Sequence, residues 1–421
     1  MEVLKNKGIN GLRYLERYTK TDMVYLVKGG FWSIFSQIIV TVSTLLLAMA
    51  FAYFISKETY GQYKFILSLA NILGVFTLTG LGTAVMKSVT GGFEGTLNDI
   101  FWKNIKWSVL FFLVILGISI YYFVNENISL AISILVVGSF SPFIASTNLY
   151  NSFLVAKKDF KRSSIYFNLI GNVFPAFCLF ITMLITNKPI WFVAVYFTSN
   201  TLIGLILYLR VLKIYKPNDK VDSGALGYSK HLSIINILGT IVDNIDQVLV
   251  FHYIGPAQLA IYNFAIAIPN QIKGPMKGLA SLIFPKFAER SDKEIRHGMK
   301  NKYFLLFISS IVIIITYIVL APYIFHILFP KYTDSIFYSQ IFVFYFLGMI
   351  SSPAEVYLII RERIKEQYIG TILGTIIQIV LLFVGILYWG LIGLVLARVI
   401  TKICWSTTNI LLYNRASRET T

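Results

Sequence analysis

Charge is scarce in this sequence, and acidic charge scarcer still: 14% of its 421 residues are charged, with 37 Lys and Arg against 20 Asp and Glu. So low a charged fraction excludes a solvated, disordered chain. Cysteine occurs only as Cys178 and Cys404, both inside apolar stretches, which excludes a disulfide framework and any CxxC redox or zinc motif. The four histidines, His231, His252, His297 and His326, sit at the ends of apolar runs without metal-ligand spacing, so neither a metal site nor a catalytic constellation is expected. No GxxxxGK[ST] phosphate loop is present, which argues against ATP-driven chemistry within this chain. The glycine-rich stretch GLGTAVMKSVTGG (80–92) closes an apolar run instead of joining a strand to a helix. No cofactor and no enzymatic activity are expected.

What the sequence has is apolar length. Hydrophobic residues make up 56% and aromatics 16%, mean hydropathy is +0.70, and apolar runs near twenty residues recur throughout. This composition predicts an all-α polytopic membrane protein. Twelve helices are expected near 29–55, 62–86, 105–124, 129–155, 163–186, 190–212, 231–253, 259–284, 303–327, 336–360, 367–388 and 390–413. No connection is long enough to hold a folded domain. No cleavable signal peptide is expected, because some thirty polar and basic residues precede the first apolar run near Phe31.

The formal charge of +17 does not imply nucleic acid, since no exposed basic domain is available to bind it. The cations alternate instead. The N-terminal segment, the even-numbered gaps and the C-terminal tail hold 29 Lys and Arg, whereas the odd-numbered gaps hold only Lys57, Lys64, Lys188 and Lys331. An asymmetry that repeats at every loop predicts that both termini are cytoplasmic.

The two halves resemble each other. YFISKETYGQYKFILSLAN (53–71) aligns with HYIGPAQLAIYNFAIAIPN (252–270), TGLGTAV (79–85) with KGLASLI (277–283), and NSFLVAKKDFK (151–161) with EVYLIIRERIK (355–365). A six-plus-six duplication follows, and since six is even the two lobes are parallel repeats. The expected organisation is a cytoplasmic N-terminal segment (1–28), a first six-helix lobe (29–212), a cytoplasmic linker (213–230), a second six-helix lobe (231–413) and a cytoplasmic tail (414–421).

Polar side chains inside the apolar spans are the candidate site. The run IVDNIDQVLV (241–250) places Asp243 and Asp246 at membrane depth, where a carboxylate costs roughly 2.5–3.5 kcal/mol. The seventh span aligns Ser233, Asn236, Thr240, Asp243 and Gln247 on one stripe, flanked by Asp246. The eighth aligns Asn263, Asn270, Gly274, Lys277 and Ser281, with Lys273 adjacent. The twelfth aligns Arg398, Lys402, Trp405 and Asn409, and Glu355 lies on the tenth. Four cations against two or three carboxylates leave a positive surplus, which an anionic ligand would relieve. The first six spans carry neutral polar groups instead: Gln37, Asn71, Ser141, Asn148, Asn151, Asn168 and Asn172. These suit sugars, and they suit ordinary helix packing.

SKETYGQYKFILSLANILGVFTLTGLGTAVMK, NSFLVAKKDFKRSSI, DNIDQVLVFHYIGPAQLAIYNFAIAIPNQI and GLIGLVLARVI, in this order, resemble the Wzx-type polysaccharide or O-antigen flippases of the multidrug/oligosaccharidyl-lipid/polysaccharide exporter superfamily. The resemblance implies a MATE-like fold with two lobes. It also implies alternating-access translocation of oligosaccharide repeat units linked to polyprenyl pyrophosphate. On this reading Asp243 occupies a recurrent helix-seven position, and Lys273, Lys277, Arg398 and Lys402, with Asn270, bind substrate. Asp243, Asp246 and Glu355 serve as ion-pair or coupling groups. Expected partners are the lipid-linked oligosaccharide and membrane lipid, with a polysaccharide polymerase and glycosyltransferases as further candidates, and no nucleic acid. The rival expectation is a cation-coupled drug antiporter of the same superfamily, in which the aspartates bind the cation.

Overall fold

A computed structural model describes residues 23–288, 292–361 and 363–419. The side chains of 23–31, 33, 231–232, 234–236, 274–288, 293 and 419 are outside that description. The expectations placed on the side chains of Lys277, Asn236 and Ser281 therefore lie outside the described residues, as does the repeat segment 277–283.

Every regular element among the described residues is helical. Lipid offers no partner for backbone N–H and C=O groups, so a chain this apolar must satisfy them within each segment, and helices do so. The first half contains α1 (Met23–Phe54), α2 (Lys57–Leu73), α3 (Leu81–Thr90), α4 (Thr96–Val124), α5 (Ile128–Thr147), α6 (Leu149–Ala156), α7 (Phe160–Ser163), α8 (Gly171–Ile185) and α9 (Pro189–Tyr215). A π-helical stretch, Ser164–Ile170, joins α7 to α8. The second half contains α10 (Ala225–Tyr253), α11 (Pro256–Ala288), α12 (Asp292–Leu328), α13 (Ser335–Phe342), α14 (Ser352–Ile360) and α15 (Ile364–Glu419). A 3-10 stretch, Val343–Ser351, connects α13 to α14.

The expected count of twelve spans is not matched one for one. Among the described residues eight helices are long and apolar enough to cross a membrane, or nine if α2 and α3, bent by 53° at residues 77–80, form one span. Two physical features account for the difference. The last span, Ile364–Arg418, is counted once, although Gly390 (φ 56°, ψ −134°) breaks its helix in two. Helices α10 and α11 are long but carry the charged residues of the candidate site, which lowers their hydropathy.

The chain divides into two compact units, the first comprising residues up to Ala50 with Leu73–Ile237, the second Phe51–Ile72 with Leu238–Thr421. In the first unit α3, α4, α6 and α9 share a core of Leu81, Val85, Ile100, Phe101, Tyr150, Phe153, Tyr208 and Val211. Two glycines let helices approach closely: a Cβ at Gly138 would lie 2.5 Å from Ile115, and one at Gly204 would lie 2.6 Å from Thr147. The 216–224 linker is tied to this unit. Asp222 accepts a hydrogen bond from Ser88 (2.7 Å), while its own N–H donates to Thr96 (2.9 Å). Asn218 donates to the Gly92 carbonyl (3.0 Å), and Glu94 pairs with Lys157. The Ser88 hydroxyl, helped by the Gly224 N–H, holds the Asp222 carboxyl below the usual carboxylate range.

The second unit draws α2 out of the sequence-ordered first half. Phe65 stacks on Phe251 at 3.8 Å and Tyr60 contacts Phe264 at 5.0 Å. Gly61 lies against the Pro256 carbonyl so closely that a Cβ would meet its oxygen at 1.8 Å. Asn71 donates to Asn244 (3.1 Å). The mutually similar segments 53–71 and 252–270 thus pack against each other within one unit. The expected lobes, 29–212 and 231–413, differ from these units most plainly in residues 51–72.

Candidate functional site

Within the second unit, α10, α11, the 343–351 stretch, α14 and the last half of α15 surround a cavity of about 600 Å³. Its wall includes Asp243, Asn270, Lys273, Tyr345, Ser352, Glu355, Arg398 and Lys402. A smaller adjoining hollow of about 190 Å³ adds Gln378, Thr401 and Trp405. Residues up to 159 positions apart in the chain therefore meet around one space. Helical periodicity accounts for each contribution: Asp243 with Asp246 on α10, Asn270 with Lys273 on α11, and Arg398 with Lys402 on α15 are spaced to share a face.

Asp246 lies behind the wall and is fully buried, 0% exposed, against an Arg398 side chain 16% exposed. Arg398 Nε sits 3.0 Å from Asp246 Oδ2, but its N–H is not aimed at a hydrogen-bond acceptor, so the contact is an ion pair. The Tyr262 hydroxyl donates to the same oxygen, and the Gln247 N–H donates to Oδ1 (2.8 Å). A terminal Arg398 nitrogen donates to the Asp243 carbonyl (3.3 Å). Both carboxylate oxygens are thus engaged, as a buried charge requires. Arg398 pins α15 to α10, and Tyr262 brings in α11.

The two lysines are organised by an aromatic ring. Lys273 Nζ lies 3.7 Å from the centroid of Tyr345, with Phe342 at 4.8 Å; Lys402 Nζ lies 5.8 Å from the same Tyr345 centroid. Cation–π attraction away from water contributes about 2 kcal/mol. Lys402 has no ion pair among the described residues. Its stem packs where Gly348 leaves room, since a Cβ at Gly348 would lie 2.3 Å from Lys402 Cγ. Glu355 accepts hydrogen bonds from Ser351 (2.8 Å) and Asn409 (3.0 Å) through one oxygen. The Asp243 side chain is exposed toward the cavity.

Of the residues expected from sequence, Lys273, Arg398, Lys402, Asn270, Asp243 and Glu355 line one cavity, and Asp246 supports it. Lys277 is the exception, its side chain lying outside the described residues. That matters for charge: Lys273, Arg398 and Lys402 are balanced in number by Asp243, Asp246 and Glu355, so the expected positive surplus depends on Lys277. Sequence reasoning missed Tyr345 and Tyr262. Neither carries a charge, and an aromatic residue in an aromatic-rich chain gives no local signal. The neutral polar residues of the first half are largely used in packing. Asn168 donates to Ser36 (2.8 Å), Asn151 accepts from Ser163 (2.6 Å), and Asn172 donates to carbonyls of its own segment.

The sequence matches the family described as polysaccharide biosynthesis protein over residues 50–336. The chain belongs to that family. No curated protein matches it. Solved structures of transporters of the multidrug/oligosaccharidyl-lipid/polysaccharide (MOP) superfamily and of a lipid II flippase share its fold. An inward-facing multidrug resistance MATE family transporter superposes with a TM-score of 0.68 at 13% identity, covering 90% of this chain and 95% of its own. The lipid II flippase MurJ, in an inward closed conformation, gives 0.58 at 16% identity, covering 91% and 87%. A MOP superfamily transporter from Pyrococcus furiosus, described as having a binding pocket of reverse polarity, gives 0.54 at 15% identity, covering 94% and 95%. This polysaccharide biosynthesis protein is therefore an all-α membrane protein of MATE-like fold.

Proposed function

We propose that this protein is a flippase that moves oligosaccharide repeat units, linked to polyprenyl pyrophosphate, across the bacterial cytoplasmic membrane for surface polysaccharide synthesis. Alternation of basic loops supports cytoplasmic termini. The observation that carries the reading is the convergence of Lys273, Arg398 and Lys402 on one cavity inside an otherwise apolar helical unit. Asp246 is sealed away by its pairing with Arg398, and Glu355 is held by Ser351 and Asn409. The two ammonium groups gathered at Tyr345 share the cavity with the Asp243 carboxylate, and a pyrophosphate, which carries more negative charge than that one group, is the ligand that suits them. The sugars would occupy the rest of the cavity while the polyprenyl tail stays in lipid. Glycosyltransferases would assemble the lipid-linked repeat unit before translocation, and a polymerase would join the units after it.

A drug or cation antiporter would use Asp243 as the ligand carboxylate. Arg398 is paired with Asp246, but Lys273 and Lys402 on the same wall oppose that use, because they repel a cationic ligand across a short distance.

Lys402→Glu replaces attraction to a phosphate with repulsion. Loss of a charge-assisted contact worth about 1.5–3 kcal/mol lowers binding roughly ten- to a hundred-fold. The expected outcome in cells is loss of surface glycan with lipid-linked repeat units accumulating on the cytoplasmic face, and recovery in Lys402→Arg. Normal surface glycan from a folded Lys402→Glu protein would exclude the binding role.

A further inference from the structure

The smaller hollow beside the central cavity, about 190 Å³, shares Asp243, Tyr345, Arg398 and Lys402 with the larger space. Gln378, Thr401 and Trp405 belong to it alone. At roughly 30 Å³ for a water at liquid density it holds the equivalent of about six waters, close to the bulk of one sugar ring.

Trp405 is fixed by what lies against it. Gly374, on the first half of α15, faces it so closely that a Cβ there would lie 1.9 Å from Cε3 of the indole. Gly370 makes the same room one turn away, where a Cβ would lie 3.0 Å from Asn409 Oδ1. An indole wedged against backbone is a rigid apolar wall, and little freedom is lost when a ligand packs on it. Its N–H, without an acceptor among the described residues, is a donor for a ligand.

Most of the other polar atoms around the ring are acceptors. The Asp243 carboxylate has no ion pair among the described residues, and its side chain is exposed toward the space. Gln378 uses an amide N–H on the Val242 carbonyl (3.1 Å), and Thr401 uses its hydroxyl proton on the Ala397 carbonyl (2.7 Å). Each keeps its oxygen as an acceptor. An aromatic wall, a carboxylate and neutral oxygens call for an uncharged ligand that is rich in O–H donors and apolar on one face. A sugar ring is such a ligand: the weakly electropositive C–H bonds of one face suit the π surface, and the hydroxyls donate around the rim. A cation would also suit Trp405 and Asp243, but Lys402, which borders the same hollow, repels it.

We infer that this hollow is the subsite for the first sugar of the lipid-linked unit, the one joined directly to the pyrophosphate, and that it selects a neutral sugar over an acidic one. The inference rests on the flippase reading, in which Lys273 and Lys402 hold the pyrophosphate at Tyr345. Since Tyr345 and Lys402 border both compartments, the next group along the ligand enters the hollow. Trp405 packs on its ring, and Asp243 accepts its hydroxyl hydrogens. A carboxylate on that sugar would meet Asp243 and be repelled. Asp243 thereby has a use in a cavity otherwise suited to phosphate.

The test measures binding to the full-length protein in detergent by isothermal titration calorimetry. The probes are farnesyl pyrophosphate, the same compound carrying one glucose, and the same carrying one glucuronic acid. Wild type is expected to bind the glucose probe about ten-fold more tightly than farnesyl pyrophosphate, the gain from a hydrogen bond to a charged group. Glucuronic acid should give no gain. Trp405→Leu and Asp243→Asn should each remove most of the glucose gain, and Trp405→Phe, which keeps an aromatic wall, should retain part of it. Trp405→Leu should leave the affinity for farnesyl pyrophosphate itself unchanged, and Asp243→Asn should no longer discriminate against glucuronic acid. Equal weakening of all the probes in Trp405→Leu overturns the inference, since the side chain then only supports its helix. Farnesyl pyrophosphate binding with no gain from glucose in wild type overturns the sugar subsite and keeps the flippase reading. Binding of tetraphenylphosphonium that depends on Asp243, with no binding of any pyrophosphate probe, overturns both.

Discussion

A fully buried carboxylate needs a reason to exist, and Asp246 has three partners that supply it: Arg398, Tyr262 and the Gln247 N–H. The pair is best understood through its removal. Arg398→Met alone leaves Asp246 as an uncompensated buried charge, at a cost of about 3–5 kcal/mol. Asp246→Leu alone strands Arg398 and leaves the Tyr262 hydroxyl without its acceptor, a further penalty of about 1–3 kcal/mol. The triple replacement Asp246→Leu, Tyr262→Phe and Arg398→Met removes charge and hydroxyl together. It should recover most of the lost stability while still lacking the Arg398 side chain on the cavity wall. Thermal unfolding in detergent of the single and triple variants measures this. If the triple variant is as unstable as Arg398→Met, the contact contributes by shape and not by charge. These two aspartates were legible from sequence because charge inside an apolar run is conspicuous. Their division of labour was not. Asp243 and Asp246 look equivalent three residues apart on one helix, and Tyr262 on α11 together with Arg398 on α15 distinguishes the one that is sealed.

At the scale of elements, glycine sets how closely the halves of α15 can pack. Gly390 has φ 56° with ψ −134°, a combination that a Cβ makes costly, and it turns the chain back on itself. Immediately beside the turn, a Cβ on Gly393 would lie 2.0 Å from the Gly385 carbonyl oxygen, and one on Gly385 would lie 2.5 Å from that of Gly393. The two backbones touch, with no flexible side chain available to yield. Gly393→Ala should therefore destabilise the protein more than Gly390→Ala, for which backbone strain suggests about 1–3 kcal/mol. Both should do more harm than Gly227→Ala, since nothing lies within 4 Å of a Cβ there. The ranking of unfolding temperatures checks it, and a Gly227→Ala defect equal to the other two would discredit the packing account. The sequence showed α15 as two spans, 367–388 and 390–413, because periodicity and apolar length are local properties. The hollow beside Trp405 could not be seen that way, since Gly374 and Trp405 are brought together only by the turn at Gly390.

At the scale of the whole molecule, composition alone declared a helical membrane protein, while the grouping of helices into units followed from contacts that no local pattern records. Residues 51–72, the end of α1 with most of α2, lie before the first lobe's later helices and resemble the start of the second lobe, yet they group with residues 238–421. What holds them differs along their length. Deep contacts such as Phe65 on Phe251 are apolar and tight. At the end of the segment the contacts are polar and wet: Lys57 pairs with Asp334 at 2.8 Å, with side chains 29% and 62% exposed, and Lys331 donates to the Tyr53 carbonyl (2.6 Å). An exposed pair of this kind contributes at most about 1 kcal/mol, so Asp334→Ala should hardly alter the unfolding temperature. A transporter that opens its cavity alternately to two sides must break some contacts in each cycle, and weakly held polar ones cost least to break. On the flippase reading, joining Lys57→Cys to Asp334→Cys with a short bifunctional reagent should stop surface glycan export, and a cleavable reagent should restore it on reduction. The background is easily prepared, because Cys178 and Cys404 are the sole native thiols. Export that continues through complete cross-linking would mean that residues 51–72 travel with the second unit throughout the cycle, and that the opening occurs elsewhere.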